Sequence, residues 1–285
     1  MPGSIRDFCL HILESGDLES KLAAPSGALS WVAIGRRAPL RLSRPARVPE
    51  LAMGPGAGPL PRPHALREEG ARRRCLARFA HHELMAVELF AWALLRWPTL
   101  PEPLGRDLLA ILRDEQRHCR LYLERLRAMG TDLSDHAPHS DYFWKHTPAL
   151  SDSPHGVHAF LAAMGLTLEQ ANLDFSLLYR DAFREAGDEA SATVCQRVHD
   201  DELRHVGLAA RWLQALCPPG ESLIDSYLRV VPFPLSASRA KGRRFDAAAR
   251  RAAGLPESFI DYVRSARPSQ EAGGSDRPTR ASGAG

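Results

Sequence analysis

Lysine is nearly missing from this 285-residue chain, which has three lysines against 34 arginines and a net charge of only +3. So small an excess, carried almost wholly by one residue type, reads as compositional bias and not as a nucleic-acid surface. Cysteine is scarce as well. Cys9, Cys75, Cys119, Cys195 and Cys217 are odd in number, far apart and never form Cys-x-x-Cys. That spacing excludes a disulfide framework and a zinc ribbon and leaves reduced, mostly packed thiols. No run of seven or more apolar residues follows a basic amino terminus, and no stretch approaches 18 uncharged apolar residues. Neither a secretory signal nor a membrane span is therefore read, and a cytoplasmic location is expected. At 44% hydrophobic, the chain is long enough for one main buried core with irregular extensions.

What the sequence does hold is a repeated pentapeptide. Asp-Glu-x-Arg-His occurs at Asp114 to His118 and again at Asp201 to His205. A helix turns about 100° per residue, so Glu115 with His118, and Glu202 with His205, each present a carboxylate and an imidazole from one face, a turn apart. With 17 Glu and 12 His in the chain, chance alone would give roughly 0.7 Glu-x-x-His matches. Requiring the Asp and the Arg as well lowers that expectation to about 0.005, and two copies are present.

Each copy follows an isolated glutamate by nearly the same interval: Glu83 precedes Glu115 by 32 residues, and Glu169 precedes Glu202 by 33. The surroundings also align, Glu83-Leu-Met-Ala-Val-Glu-Leu-Phe with Glu169-Gln-Ala-Asn-Leu-Asp-Phe-Ser. The chain therefore reads as two helical hairpins related by an internal repeat, each supplying one isolated Glu and one Glu-x-x-His. Glu83, Glu115, His118, Glu169, Glu202 and His205 are the proposed metal ligands, with Glu115 and Glu202 as bridges. Four glutamates set in apolar seams would each lose several kcal/mol of hydration without metal, and two divalent cations balance their charge. The alternative, solvated charges on helix faces, sits poorly with both the seams and the duplication. Asp114 and Asp201 are expected outside the ligands, accepting the imidazoles' remaining N–H. Glu88 and Asp174 recur too, but a five-residue offset turns them about 140° away, so they read as interface groups.

Residues 1–66 read as a short amphipathic helix (4–22, with Ile5, Phe8, Ile12 and Leu13 on one side) followed by an extended segment rich in proline and glycine. Residues 67–217 read as four long helices, about Arg67–Trp97, Pro103–Met129, Pro154–Ala186 (with a break near Gly165) and Glu189–Leu216. Residues 131–153, polar and non-periodic, form the long crossover between hairpins. Residues 218–267 form a C-terminal extension with helical pieces at Leu223–Val231 and Pro256–Val263, and 268–285 read as a disordered tail. Tyr122, one turn beyond His118, reads as core, with electron donation near the metals as the second option. His81 and His82 read as packing or surface residues. Tyr142, Phe143, Trp144 and His146 either line an entry to the site or plug the end of the helices.

The chain resembles the ferritin-like superfamily and, more narrowly, the bacterial family of unknown function DUF455. The resemblance covers most of the chain. It rests on Ala80-His81-His82-Glu83 with Ala86 to Leu89, Asp114-Glu115 to His118, Phe143-Trp144, and Leu168-Glu169 through Leu173-Asp174-Phe175. It also rests on Gly187-Asp188, Asp201-Glu202 to His205-Val206, and Arg251-Ala252-Ala253-Gly254-Leu255. It implies an all-α fold, a ferritin-like four-helix bundle with one long crossover, and a dinuclear iron site, but no settled substrate. The arginine- and proline-rich stretch after Trp31 departs from what such a bundle needs.

The expected cofactor is a pair of iron ions, with manganese in one or both places as the variant. The leading expectation is a non-haem oxygen-activating oxidase or hydroxylase. Its partners would be dioxygen, a small-molecule substrate and an unspecified electron donor, without nucleic acid or membrane, in a monomer or dimer. The alternative is non-enzymatic metal handling or peroxide protection. A minor alternative, from the resemblance to a ferritin-like tRNA hydroxylase, has Arg239 to Arg251 contacting phosphates.

Overall fold

The computed structural model describes residues 3–25, 27–31 and 38–268, and those residues are all-α. No strand occurs among them, only the isolated bridges Ser4–Ser30 and Met53–His139. The expected disordered tail lies, beyond Pro268, outside the described residues, as do residues 32–37 of the stretch that follows Trp31.

The expected helix over 4–22 is two helices, α1 (Ile5–Glu14) and α2 (Leu18–Leu22). Ser4 caps the first, and its buried Ile5, Phe8, Cys9, Ile12 and Leu13 form one face. Asp17 caps the second, and the break at Gly16 lets Val48 N donate to the Gly16 carbonyl. From there the proline-rich segment wraps the core: Ala46 N donates to Leu13 O, Leu40 N to Leu95 O, and Tyr179 Oη to Pro61 O.

Two long helices, α3 (Glu69–Arg96) and α4 (Glu102–Ala128), pack against each other, and α1 packs on α3. Covered from several sides, α3 buries residues around its whole circumference, as a central helix should. Gly130, at φ +73°, follows the end of α4. The crossover is more ordered than its polar sequence suggested, with 3₁₀ turns at Leu133–His136 and Trp144–His146 and α5 (Thr147–Asp152).

The third rod does not break at Gly165. It runs unbroken from α6 (Val157–Phe160) through a π-helical segment, Leu161–Glu169, into α7 (Gln170–Glu185). Thr167 Oγ1 donates to the Ala162 carbonyl five residues back and meets the Tyr227 hydroxyl at 2.7 Å, which props the widened turns. Gly165 is needed for closeness and not for a kink, because a Cβ there would stand 2.2 Å from Ala209 Cβ. Ala209 belongs to α8 (Glu189–Leu216), which packs on α7, on the π segment and on α4. Phe79 of α3 meets Tyr179 of α7 edge to face at 5.1 Å, so the two hairpins also join through side chains.

Beyond α8 follow α9 (Leu223–Val230), α10 (Ala247–Ala252) and α11 (Glu257–Ser265). The middle one is not signalled by the sequence pattern, and it carries a fully buried arginine, Arg250. Glu88 and Asp174, the recurring acids of the repeat, are where the two extensions are pinned. Glu88 receives Lys21 Nζ at 3.0 Å, Arg47 through two bonds (3.1 and 2.7 Å) and Trp144 Nε1 at 3.0 Å. Asp174 receives Arg250 through two bonds (2.8 and 3.0 Å) and the backbone N–H groups of Gly242 and Asp246. All five charged groups are buried, so each acid is matched by a desolvated cation from outside the repeat. No helix among the described residues is long and apolar enough to cross a membrane.

Candidate metal centre

The six sequence-derived ligands converge. Glu83 comes from α3, Glu115 and His118 from α4, Glu169 from the end of the π segment, and Glu202 and His205 from α8. None is more than 4% exposed. His205 Nδ1 lies 3.2 Å from Glu115, 3.5 Å from Glu202 and 3.7 Å from Glu169, and His118 Nδ1 lies 3.4 Å from the other oxygen of Glu115. Donors sharing one ion at bonds of about 2.1 Å stand roughly 3 to 4.2 Å apart, so these separations suit coordination. Two clusters result, Glu83–Glu115–His118 and Glu115–Glu169–His205, and Glu115 belongs to both. The imidazole ring centres are 6.0 Å apart.

Glu202 behaves differently from its repeat counterpart. One of its oxygens accepts from Asn172 Nδ2 at 3.0 Å, leaving the other to face His205. Asn172 has no signal in the sequence, because the aligned position in the first hairpin is Ala86.

Buried polar atoms without a partner test whether metal fits. His118 Nδ1, His205 Nδ1, Glu115 Oε1, both oxygens of Glu169 and Glu202 Oε2 are all sealed from solvent with no hydrogen bond. Buried polar atoms are normally paired. Here several of them point at one another across a few ångströms, which is the donor arrangement a pair of divalent ions would satisfy.

Burial and mutual proximity shift the protonation of these groups in opposite directions. Burial, then the neighbouring Glu115, pushes Glu83 well above the usual carboxylate range, and burial followed by Glu202 does the same to Glu169. Burial would raise Glu115 too, but His118 and His205 hold it well below that range. Burial opposes charge on His118, yet Glu115 and Asp201 outweigh it and raise the imidazole to about 9. His205 rises in the same way, through Asp114, Glu115 and Glu202.

Outside the ligands, the structure pairs the two motif copies crosswise. His118 Nε2 lies 3.1 Å from Asp201, and His205 Nε2 lies 3.1 Å from Asp114, so each imidazole leans on the aspartate of the other copy. The motif arginines join the same lattice: Arg117 contacts Asp114 and Asp201, both at 2.8 Å, and Arg204 contacts both as well. The arginines thus support the aspartates and not the ligand carboxylates.

Of the remaining candidates, Tyr122 is buried near Glu83, its hydroxyl 4.0 Å from Cys195 Sγ. His81 stacks on His139 and meets Arg47 at 2.7 Å. His82 does not point away from the site. It stands beside Glu83 in a cavity wall and packs on Phe143 at 4.3 Å. Tyr142 lines that cavity, while Trp144 is a plug bound to Glu88. In the Arg239–Arg251 stretch, Arg250 is bound to Asp174, Arg244 to Asp181, Arg251 to Glu257, and Arg239 to the Tyr142 hydroxyl.

Residues 15–261 match the family described as protein of unknown function (DUF455), and the chain belongs to that family. An uncharacterized protein of Haemophilus influenzae is 27% identical over 146 residues, covering 48% of this chain and 49% of that protein. The chain thus spans about half the length of the curated relative it matches. No solved structure matches it.

Proposed function

We propose that this is a dinuclear non-haem metal protein of ferritin-like four-helix architecture, holding two iron ions and acting as an oxygen-activating oxidase or hydroxylase. The observation that carries the reading is the set of sealed, unpartnered ligand atoms on Glu115, His118, Glu169, Glu202 and His205. A Glu from each of two helices and a Glu-x-x-His from each of the other two is the ligand set of di-iron and di-manganese carboxylate bundles. Glu83, Glu115 and His118 would hold one ion and Glu115, Glu169, Glu202 and His205 the other, with Glu115 as the bridge. Such a pair, when bound, supplies redox chemistry with dioxygen that no side chain offers.

The chain's own contribution is placement and shielding. Asp201 and Asp114 hold His118 and His205 with Nδ1 turned inward, and the apolar surroundings keep bulk water from the ligands. A cavity of about 510 Å³ reaches Glu83, with Phe79, Tyr122, Phe175 and Val198 among its walls. That volume suits an organic substrate and favours an enzyme over storage or metal handling.

Metal analysis of protein reconstituted with ferrous iron under argon should give about two ions per chain, and admitting oxygen should change the optical spectrum. Glu115→Ala, which removes the shared ligand, should abolish both. Protein that takes up no transition metal on reconstitution would end this reading.

A further inference from the structure

The cavity beside Glu83 is electrically uneven. Its walls carry one permanent cation, Arg78, and one acid, Glu83 itself. Arg78 forms no ion pair or hydrogen bond with the described residues, and its Nη1 is sealed from solvent without a partner. Burial lowers its pKa from the usual arginine value and no carboxylate counters the effect. A guanidinium keeps its proton at any ordinary pH, so Arg78 offers the cavity a charge that no carboxylate among the described residues meets.

The rest of the lining says which anion. Leu60, Phe79, Met85, Phe175 and Val198 give the cavity an apolar body. His81 is occupied by Arg47 and stacked on His139, and His82 packs on Phe143, which leaves Arg78 as the charged group of the lining that an anion can meet. One uncompensated positive charge matches a monoanion; a phosphate dianion would bring a second charge into apolar walls with nothing to meet it. The planar fork of Arg78 also fits the two oxygens of a carboxylate. Arg78 and Glu83 are five residues apart on α3, about 7.5 Å along the helix axis. Of the two only Arg78 attracts an anion, so an elongated acid would enter in one orientation.

We infer that the cavity binds an amphipathic monocarboxylate, its carboxylate on Arg78 and its apolar chain directed toward Glu83. As a ligand site this stands on Arg78 and the cavity alone. As the substrate class of the proposed oxidase or hydroxylase it rests on the dinuclear reading. The hydrocarbon end, and not the acid, is then the part brought to the metal ligands.

The test is calorimetric titration with sodium octanoate and with 1-octanol, its uncharged counterpart, on metal-free and on iron-loaded protein. Octanoate is expected to bind both forms, roughly 10- to 100-fold more tightly than octanol. Arg78→Gln should erase that preference and Arg78→Lys retain part of it, without lowering the melting temperature, since Arg78 holds no partner among the described residues. Equal affinity for the two probes, no binding of octanoate, or unchanged octanoate affinity in Arg78→Gln would overturn the inference. Because the metal-free titration does not involve iron, octanoate binding without iron uptake removes only the dinuclear reading. Iron uptake without octanoate selectivity removes only this one.

Discussion

Asp114 on α4 and His205 on α8, 91 residues apart in sequence, meet at 3.1 Å across the helix interface, mirroring the contact of Asp201 with His118. The aspartate of each motif serves the ligand of the other. The two proposed metal positions should therefore be addressable separately by mutation of residues outside the ligand set.

Asp201→Asn should weaken the ion at Glu83–Glu115–His118 by roughly 10- to 100-fold while sparing the other. Asp114→Asn should do the reverse. Iron stoichiometry against a graded chelator would show loss in one step per variant, where the wild type loses both ions at higher chelator. Equal loss of both ions in each variant would contradict the crosswise assignment.

Metal should help more at high pH. His118 and His205 in the folded, metal-free protein have pKa values raised above the unfolded value, near 9 for His118. Their contribution to stability is complete below about 6.5 and is lost as pH rises through about 9. Glu83 and Glu169, also raised, act in the same direction, because the folded chain keeps protons that the unfolded chain has released. Asp114 and Asp201 are lowered, and their contributions fade only as the pH falls into the acid range. Metal binding releases the ligand protons, so apparent affinity should rise roughly tenfold per pH unit for each proton displaced. Melting temperatures with and without metal, at pH 6 and pH 9, should diverge as pH increases.

Asp174→Asn should be strongly destabilising. It would leave Arg250 charged and fully buried, with a cost of roughly 3–5 kcal/mol and a fall in melting temperature of about 6–20 °C at 2–4 °C per kcal/mol. Glu88→Gln should behave alike by orphaning Lys21 and Arg47. Thermal unfolding followed by circular dichroism measures both.

Gly165→Ala should separate the π segment from α8, since the new methyl would collide with Ala209 Cβ. Overpacking of this kind costs roughly 1–3 kcal/mol, and it displaces Glu169 at the segment's end. Lower stability and weakened metal at the Glu169 position are expected, with partial recovery in the double variant Gly165→Ala, Ala209→Gly.

The convergence of the six side chains was legible because it leaves a short-range trace: a Glu and a His one turn apart, twice, each pair on a helix seam that is otherwise apolar. The outer aspartates were legible by kind but not by partner, since nothing local tells Asp201 that it faces His118. Asn172 and Arg78 left no trace, one lacking a repeat mate and the other being one arginine among 34. The π segment was misread as a break because glycine signals a close approach as readily as a bend, and five-residue bonding has no residue code. Glu88 and Asp174 were placed at interfaces by their angular offset. Their cations come from segments outside the repeat, so only the folded chain could identify Lys21, Arg47 and Arg250.

Cutting the backbone within 131–153 would yield two fragments, each with a complete pentapeptide yet each unable to orient its own histidine. Mixed together they should regain iron uptake; singly, neither should. A duplicated hairpin that began as a self-sufficient unit would have surrendered that independence once its aspartates traded partners, and its halves could thereafter change only in concert.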